Sequence, residues 1–267
     1  MSPIEIRIPA YESFKLPGAF VIAKSVCAPA LREVLEGEPL YEFASRQPAA
    51  RRYTGRAPVF AISLPGGCGQ IVIRHATRGG FMSRISKDVF LRPTRGLREL
   101  LNSLRLRALG VSTPEVVACV SYHAGWMLRR SDIATEEIVD GHDLSVVLST
   151  FTEAGHRKLA IDAAIRLLRS LTEAGAYHKD LNLKNILLTS EDGSRLDPHV
   201  LDVDRVRFTT PGSPLVANAN LGRLLRSLRK WRDQNALPFT EDEARRITTE
   251  TLADKRAEKS PRPASGS

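Results

Sequence analysis

Strand-like and helix-like segments do not alternate along this chain; they are segregated. Val59-Phe60-Ala61-Ile62-Ser63-Leu64, the turn Pro65-Gly66-Gly67-Cys68-Gly69 and Gln70-Ile71-Val72-Ile73-Arg74 read as a hairpin. Val116–Val120 and Trp126–Leu128 read as further strands. One helix lies among them: Thr94 is placed to cap it, Leu97, Leu100, Leu101, Leu104 and Ala108 share a face, and Gly110 closes it. After Ile138 the texture changes. Gly141-His142-Asp143 looks like a linker ending in a helix cap, followed by a short helix. A longer helix over about Glu153–Ala174 carries Leu159, Ala163, Leu167, Leu171 and Ala174 at spacings of three and four, and Gly175 ends it. Short strands at Ile186–Leu188 and His199–Leu201 flank the turn Glu191-Asp192-Gly193-Ser194, and a final helix runs from about Asn218 to Gln234.

Strands first and helices second argue for an α+β protein of two lobes rather than a doubly wound parallel sheet. The expected division is an unassigned extension at 1–50, a sheet lobe at 51–140, a helical lobe at 141–252 and a disordered Pro/Ser/Gly-rich tail at 253–267. A chain of 267 residues is long enough to bury a core in both lobes.

The 39 Lys and Arg against 30 Asp and Glu leave a formal charge of +9, which suits an anionic partner: nucleic acid, an acidic membrane face or a phosphorylated substrate. A plain basic surface explains the same number. Cys27, Cys68 and Cys119 have neither zinc nor redox spacing, so free thiols in a reducing compartment are expected. No signal-peptide pattern opens the chain, and no apolar run approaches the ~18 residues that span a bilayer. A cytoplasmic location follows, with contact to a membrane surface left open.

The segment richest in chemistry is His178-Lys179-Asp180-Leu181-Asn182-Leu183-Lys184-Asn185, after the long helix and before a short strand. It fits the kinase catalytic-loop pattern His-x-Asp-Leu-x-x-x-Asn. Asp180 would aim a carboxylate at an acceptor hydroxyl, while the Asn185 amide oxygen reaches a magnesium ion on the phosphates of ATP. His178 would brace the loop. Seventeen residues on, Val200-Leu201-Asp202-Val203-Asp204 is an apolar strand end carrying acids, and Asp202 stands where a second magnesium ligand is needed. No glycine follows it, so the hinge of the Asp-Phe-Gly segment is missing.

Arg74 occupies the strand position where the pattern has a phosphate-gripping lysine, and Glu99 on the next helix is its natural partner. Tyr53-Thr54-Gly55-Arg56-Ala57 is the one stretch placed to cover phosphates, with Gly55 its single glycine. Asn182 stands where protein kinases have a lysine two residues after the catalytic Asp; Lys179 or Lys184 is left to supply that charge.

With these residues placed, the chain resembles the lipopolysaccharide kinase family, most closely its 3-deoxy-D-manno-octulosonic acid (Kdo) kinases. The likeness covers roughly Thr54 to Arg232. It rests on Ile73-Arg74-His75 with Arg78-Gly79-Gly80, Thr94-Arg95 with Arg98-Glu99, Leu109–Pro114, His178–Asn182, Leu201–Arg205 and the basic stretch Asn220–Lys230. The resemblance implies a protein-kinase-like fold and transfer of phosphate from ATP to a Kdo hydroxyl, the 4-hydroxyl, of a lipid A precursor at the cytoplasmic face of the bacterial inner membrane. Val203 and Lys179 depart from the family's pattern.

Only 65 residues follow Asp202, and they contain no Ala-Pro-Glu segment. A small or lipid-linked hydroxyl therefore suits the chain better than a polypeptide. Arg223, Arg226, Arg229, Lys230 and Arg232 surround Leu221, Leu224, Leu225 and Leu228; such a helix either lies on an anionic surface or packs with its basic side in water. Three rivals stay open: a kinase of this fold with another acceptor, a nucleotide-binding pseudokinase, and a nucleic-acid binder. No recognition motif supports the last, so no nucleic acid is expected as partner.

Overall fold

The computed structural model describes residues 8–53, 57–75, 95–123, 129–150, 154–190 and 192–253. The chain divides into two compact units: Met1–Val139 with Leu201–Arg205, and Asp140–Val200 with Val206–Ser267. Five residues thus leave the second unit to join the first.

The first unit opens with a hairpin, β1 (Tyr11–Leu16) and β2 (Ala19–Lys24), followed by helices α1 (Ala28–Gly37) and α2 (Leu40–Arg46). Strands β3 (Arg51–Tyr53), β4 (Val59–Leu64) and β5 (Gly69–His75), helix α3 (Arg95–Ala108), and strands β6 (Val116–His123) and β7 (Arg129–Glu136) complete it. Among the described residues the sheet order is β1-β2-β6-β7-β5-β4-β3, antiparallel throughout. The expected hairpin is β4 and β5, in register from Phe60↔Ile73 to Leu64↔Gly69.

Residues 8–50, unassigned from the sequence, build much of this unit. Leu31 and Leu40 are fully buried, each burial being worth roughly 1.5–3 kcal/mol. They pack with Phe14, Val21, Ile71 and Ile73. The adjacent Ile22 joins Leu100, Val116 and Ile133 in a second cluster. Neighbours on one strand point to opposite faces, so α1–α2 and α3 cover the two sides of the sheet.

Two expectations change here, and one strand is added. Cys27 and Cys68 form a disulfide with Cα atoms 5.2 Å apart, correcting the expectation of three free thiols; Cys119 is buried outside any disulfide. The β4–β5 turn brings Cys68 to the start of α1, a proximity that 41 residues of separation conceal. The buried face of α3 runs through Gly96, Glu99, Leu100, Ser103 and Leu106, leaving Leu101 and Ala108 exposed. A Cβ at Gly96 would collide with the Cys119 sulfur, so close packing on β6 and the Glu99 ion pair set the rotation of α3 together with the buried Leu100 and Leu106. The expected Leu97 and Leu104 pack partly buried beside Leu100. Strand β7 has no clear signal in the sequence, because its first residues are polar; Ser131 and Asp132 are nevertheless fully buried. The expected strand at Trp126–Leu128 lies outside the described residues, as do the Thr94 cap, Gly55, Arg78-Gly79-Gly80, Glu191 and the tail from residue 254.

The second unit contains β8 (His142–Asp143), α4 (Leu144–Thr150), α5 (Ala154–Glu173), β9 (Ala176–His178), β10 (Ile186–Thr189), β11 (Asp197–Val200), β12 (Val206–Phe208), α6 (Pro214–Asn235) and α7 (Glu241–Leu252). Asp143 caps α4, accepting the Val146 N–H at 3.0 Å. Gly175, at φ +63°, ends α5 where the Thr209 carbonyl leaves no room for a Cβ. Helix α7 is an addition to the expected elements, and its signal is a local one: Thr240 and Glu243 form a capping box. Leu221, Leu224 and Leu228 of α6 are buried, while Arg229 and Arg232 pair with Glu241 of α7. The stripe of Leu221, Leu224 and Leu228 is core, so the basic stretch of α6 offers an anionic surface its charge. Among the described residues no helix is long and apolar enough to cross a membrane.

Candidate active site

Within the first unit, β5 ends in Arg74 and α3 presents Glu99. Both are removed from solvent, with side chains 21% and 4% exposed, and they form a direct ion pair. The second guanidinium edge of Arg74 reaches Asp202 Oδ1 at 3.4 Å. Burial opposes the Arg74 charge, yet Glu99 and Asp202 outweigh it and raise its pKa above the ordinary arginine value. Burial raises the Glu99 carboxyl as well, with Arg74 opposing. Glu99 Oε2 is buried without a hydrogen-bond partner among the described residues.

The Leu201–Arg205 segment is fastened to α3 by contacts that sequence reasoning did not assign. Arg95 grips Asp204 with two bonds, Nε to Oδ2 at 2.6 Å and a terminal nitrogen to Oδ1 at 2.9 Å. Asn102 donates to the Val203 carbonyl at 2.7 Å. Asp204, readable from sequence as a solvated strand end, is 5% exposed. Asp202, immediately before these anchors, has φ 54°, a left-handed conformation uncommon outside glycine, and a half-exposed carboxylate. The missing glycine hinge is thus matched by a segment held by three side chains, Arg95 and Asn102 of α3 and Arg74 of β5.

In the second unit, the catalytic-loop residues are organised by neutral hydrogen bonds. His178 is fully buried, and its Nδ1 accepts the Asp180 N–H at 3.1 Å, which leaves the ring proton on Nε2. The Asp180 carbonyl accepts amide hydrogens from Asn182 at 2.9 Å and Asn185 at 2.8 Å. The Asp180 backbone is therefore clamped on both sides. Its carboxylate is exposed, and no hydrogen bond or ion pair engages it among the described residues. Asn182 also accepts the Lys184 N–H and opens the short 3-10 turn Leu183–Asn185.

Helix α6 backs this loop. Asn220, wholly buried, accepts the His178 N–H at 3.0 Å and donates to the Ala176 carbonyl at 2.9 Å. Ser227 Oγ accepts the Leu183 N–H at 3.3 Å, and Lys184 Nζ lies 5.5 Å from the Trp231 ring centroid. Asn220 interrupts the apolar stripe of Val216, Ala217, Leu221 and Leu224. A polar residue on a buried stripe needs a partner, and that signal would have found it.

The structure thus brings Arg74, Glu99 and Asp202 together in one unit, and Asp180 with Asn185 in the other. Residues 48–249 match the model of the lipopolysaccharide kinase (Kdo/WaaP) family. The chain belongs to that family. It is similar to a 3-deoxy-D-manno-octulosonic acid kinase of Vibrio parahaemolyticus, 28% identical over 186 residues that cover 64% of this chain and 73% of the relative. One of Haemophilus influenzae is 31% identical over 175 residues, covering 63% of this chain and 70% of the relative. Among solved structures, WaaP in complex with acyl carrier protein has a TM-score of 0.54 at 17% identity, covering 85% of this chain and 88% of that one. The fold is the α+β protein-kinase-like one, and the family is one of ATP-dependent phosphotransferases with a hydroxyl acceptor in lipopolysaccharide synthesis.

Proposed function

We propose that this kinase phosphorylates a Kdo hydroxyl, the 4-hydroxyl, of a Kdo-bearing lipid A precursor. The observation that carries the chemistry is Asp180, whose backbone is clamped at nitrogen and oxygen while its carboxylate stays exposed and unengaged. A base must be aimed and must keep an open face, and this residue meets both demands. The acceptor is inferred from the curated relatives, whose names specify it.

In this reading Asp180 orients the acceptor hydroxyl and takes its proton. Arg74, steadied by Glu99, grips the nucleotide phosphates; Gly55, which the sequence order assigns to covering them, lies outside the described residues. Asn185 of the second unit and Asp202 of the first are the residues that would hold magnesium. The donor chemistry fits: the Asn185 amide nitrogen is spent on Asp180, leaving its oxygen, and Asp202 offers a half-exposed carboxylate. Bound there, the ion would neutralise charge on the transferring phosphate. A site on the cytoplasmic face of the inner membrane suits a lipid-linked acceptor, with exposed cations rather than an inserted helix making the contact.

The test is transfer of labelled γ-phosphate from ATP to the Kdo-lipid A precursor by the native chain and by Asp180→Ala. Native transfer should be evident and the variant's turnover about 10²–10⁴-fold lower with its fold intact. Magnesium-dependent ATP binding without native transfer would overturn the acceptor assignment.

A further inference from the structure

Beside the catalytic loop the second unit carries a group of cations that the transfer chemistry above leaves unused. Strand β9 pairs with β12, with Arg207 opposite Tyr177 and Val206 opposite His178. His178 and Val206 are buried on one face of this ribbon, so Tyr177 and Arg207 share the other. Directly opposed side chains start ~5 Å apart. From α6, Arg223 donates twice to the Tyr177 hydroxyl, at 2.7 and 3.1 Å. Lys179 follows β9 by one residue. Neither it nor the exposed Arg207 has an ion pair or side-chain hydrogen bond among the described residues.

Tyr177 is three residues from Asp180, so their Cα atoms are at most ~11 Å apart. That is within the span of one or two sugar rings. Lys184 is turned to Trp231 instead and does not join the group.

We infer that Arg207 and Arg223, which meet at Tyr177, and Lys179, two residues along the chain from it, form an anion subsite that binds a carboxylate or phosphate on the acceptor and so presents its hydroxyl to Asp180. The inference rests on the proposed kinase reading but not on the identity of the acceptor sugar. Arg207 and Lys179 supply unspent donors. Arg223 holds the tyrosine and adds charge, and forked guanidinium groups suit planar or tetrahedral oxyanions. The sequence alone does not suggest this, because Tyr177 and Arg207 lie in different segments and meet only through the β9–β12 ladder.

The test measures binding without turnover, by titration calorimetry on the full chain. Three probes are used: free Kdo, which carries only a carboxylate; a bis-phosphorylated glucosamine disaccharide lacking Kdo; and vesicles of anionic phospholipid. Native protein is compared with Arg207→Ala, Lys179→Ala and Arg207→Lys, and ATP affinity is measured alongside. One sugar probe should bind, about tenfold more weakly to each alanine variant, with partial recovery in Arg207→Lys and with ATP affinity unchanged in the Arg207 variants. Which probe responds names the anion. Equal binding by native and variant chains, binding of neither sugar, loss confined to the vesicles, or weakened ATP binding by Arg207→Ala would each overturn the inference. Failure of phosphate transfer to the Kdo acceptor, with the sugar phosphate still bound through Arg207, would instead strike the proposed acceptor alone.

Discussion

Arg74, Glu99 and Asp202 sit in a network of charges, whereas Asp180 and Asn185 sit in a loop held by neutral amides. In the first unit, Arg74 with Glu99 and Arg95 with Asp204 place four charged groups in surroundings largely closed to water. In the second, the anchors of the loop are one imidazole, three asparagines and a serine. The two designs respond differently to damage. A buried charge that loses its partner costs several kcal/mol, while each neutral hydrogen bond contributes about 1 kcal/mol. The charged half should fail abruptly and the amide half by degrees.

The largest expected effect is therefore in the first unit. Glu99→Ala strands Arg74 with only its longer contact to Asp202, and should cost about 3–5 kcal/mol by chemical denaturation while nearly abolishing transfer. Replacing both Arg74 and Glu99 by methionine should return most of that stability and none of the activity. A loss under ~1 kcal/mol in the single variant would break the contrast. Next comes Asn220→Ala, which deprives the His178 N–H and the Ala176 carbonyl of their partner. A cost of about 1–3 kcal/mol is expected, with kcat falling and the KM for ATP little changed. If KM for ATP rose instead, α6 would not be acting through the loop. Smallest is Thr240→Ala, outside both halves. Losing the α7 capping box should cost about 1 kcal/mol and leave kcat unaltered, giving a baseline for stability loss without loss of function.

Much of the site is legible in the sequence because its chemistry is local. The spacing from His178 through Asp180 to Asn185 is that of one continuous loop, and the loop's own bonds, Asp180 N–H to His178 and Asn185 to the Asp180 carbonyl, span two and five residues. The hairpin and the helix ends are legible for the same reason, since alternation, caps and terminating glycines act between neighbours. Arg74 and Glu99 pair through a known order of elements rather than through anything visible in their own neighbourhoods.

Other features depend on what distant segments bring. Asp204 meets Arg95 across 109 residues, and Asn220 meets His178 across 42. The first fifty residues read as an appendage until β2 pairs with β6 and Leu31 and Leu40 enter the core. Sequence alone determined the β4–β5 hairpin, helices α3, α5 and most of α6, the His178–Asn185 loop as one local unit and the family resemblance, because each follows from short-range geometry and residue order. Tertiary structure alone decided which charges are buried, how α3 is rotated, that Cys27 meets Cys68, and that the stripe of Leu221, Leu224 and Leu228 on α6 is core. Desolvation and close packing depend on the atoms on every side of a group, and most of those atoms come from elsewhere in the chain.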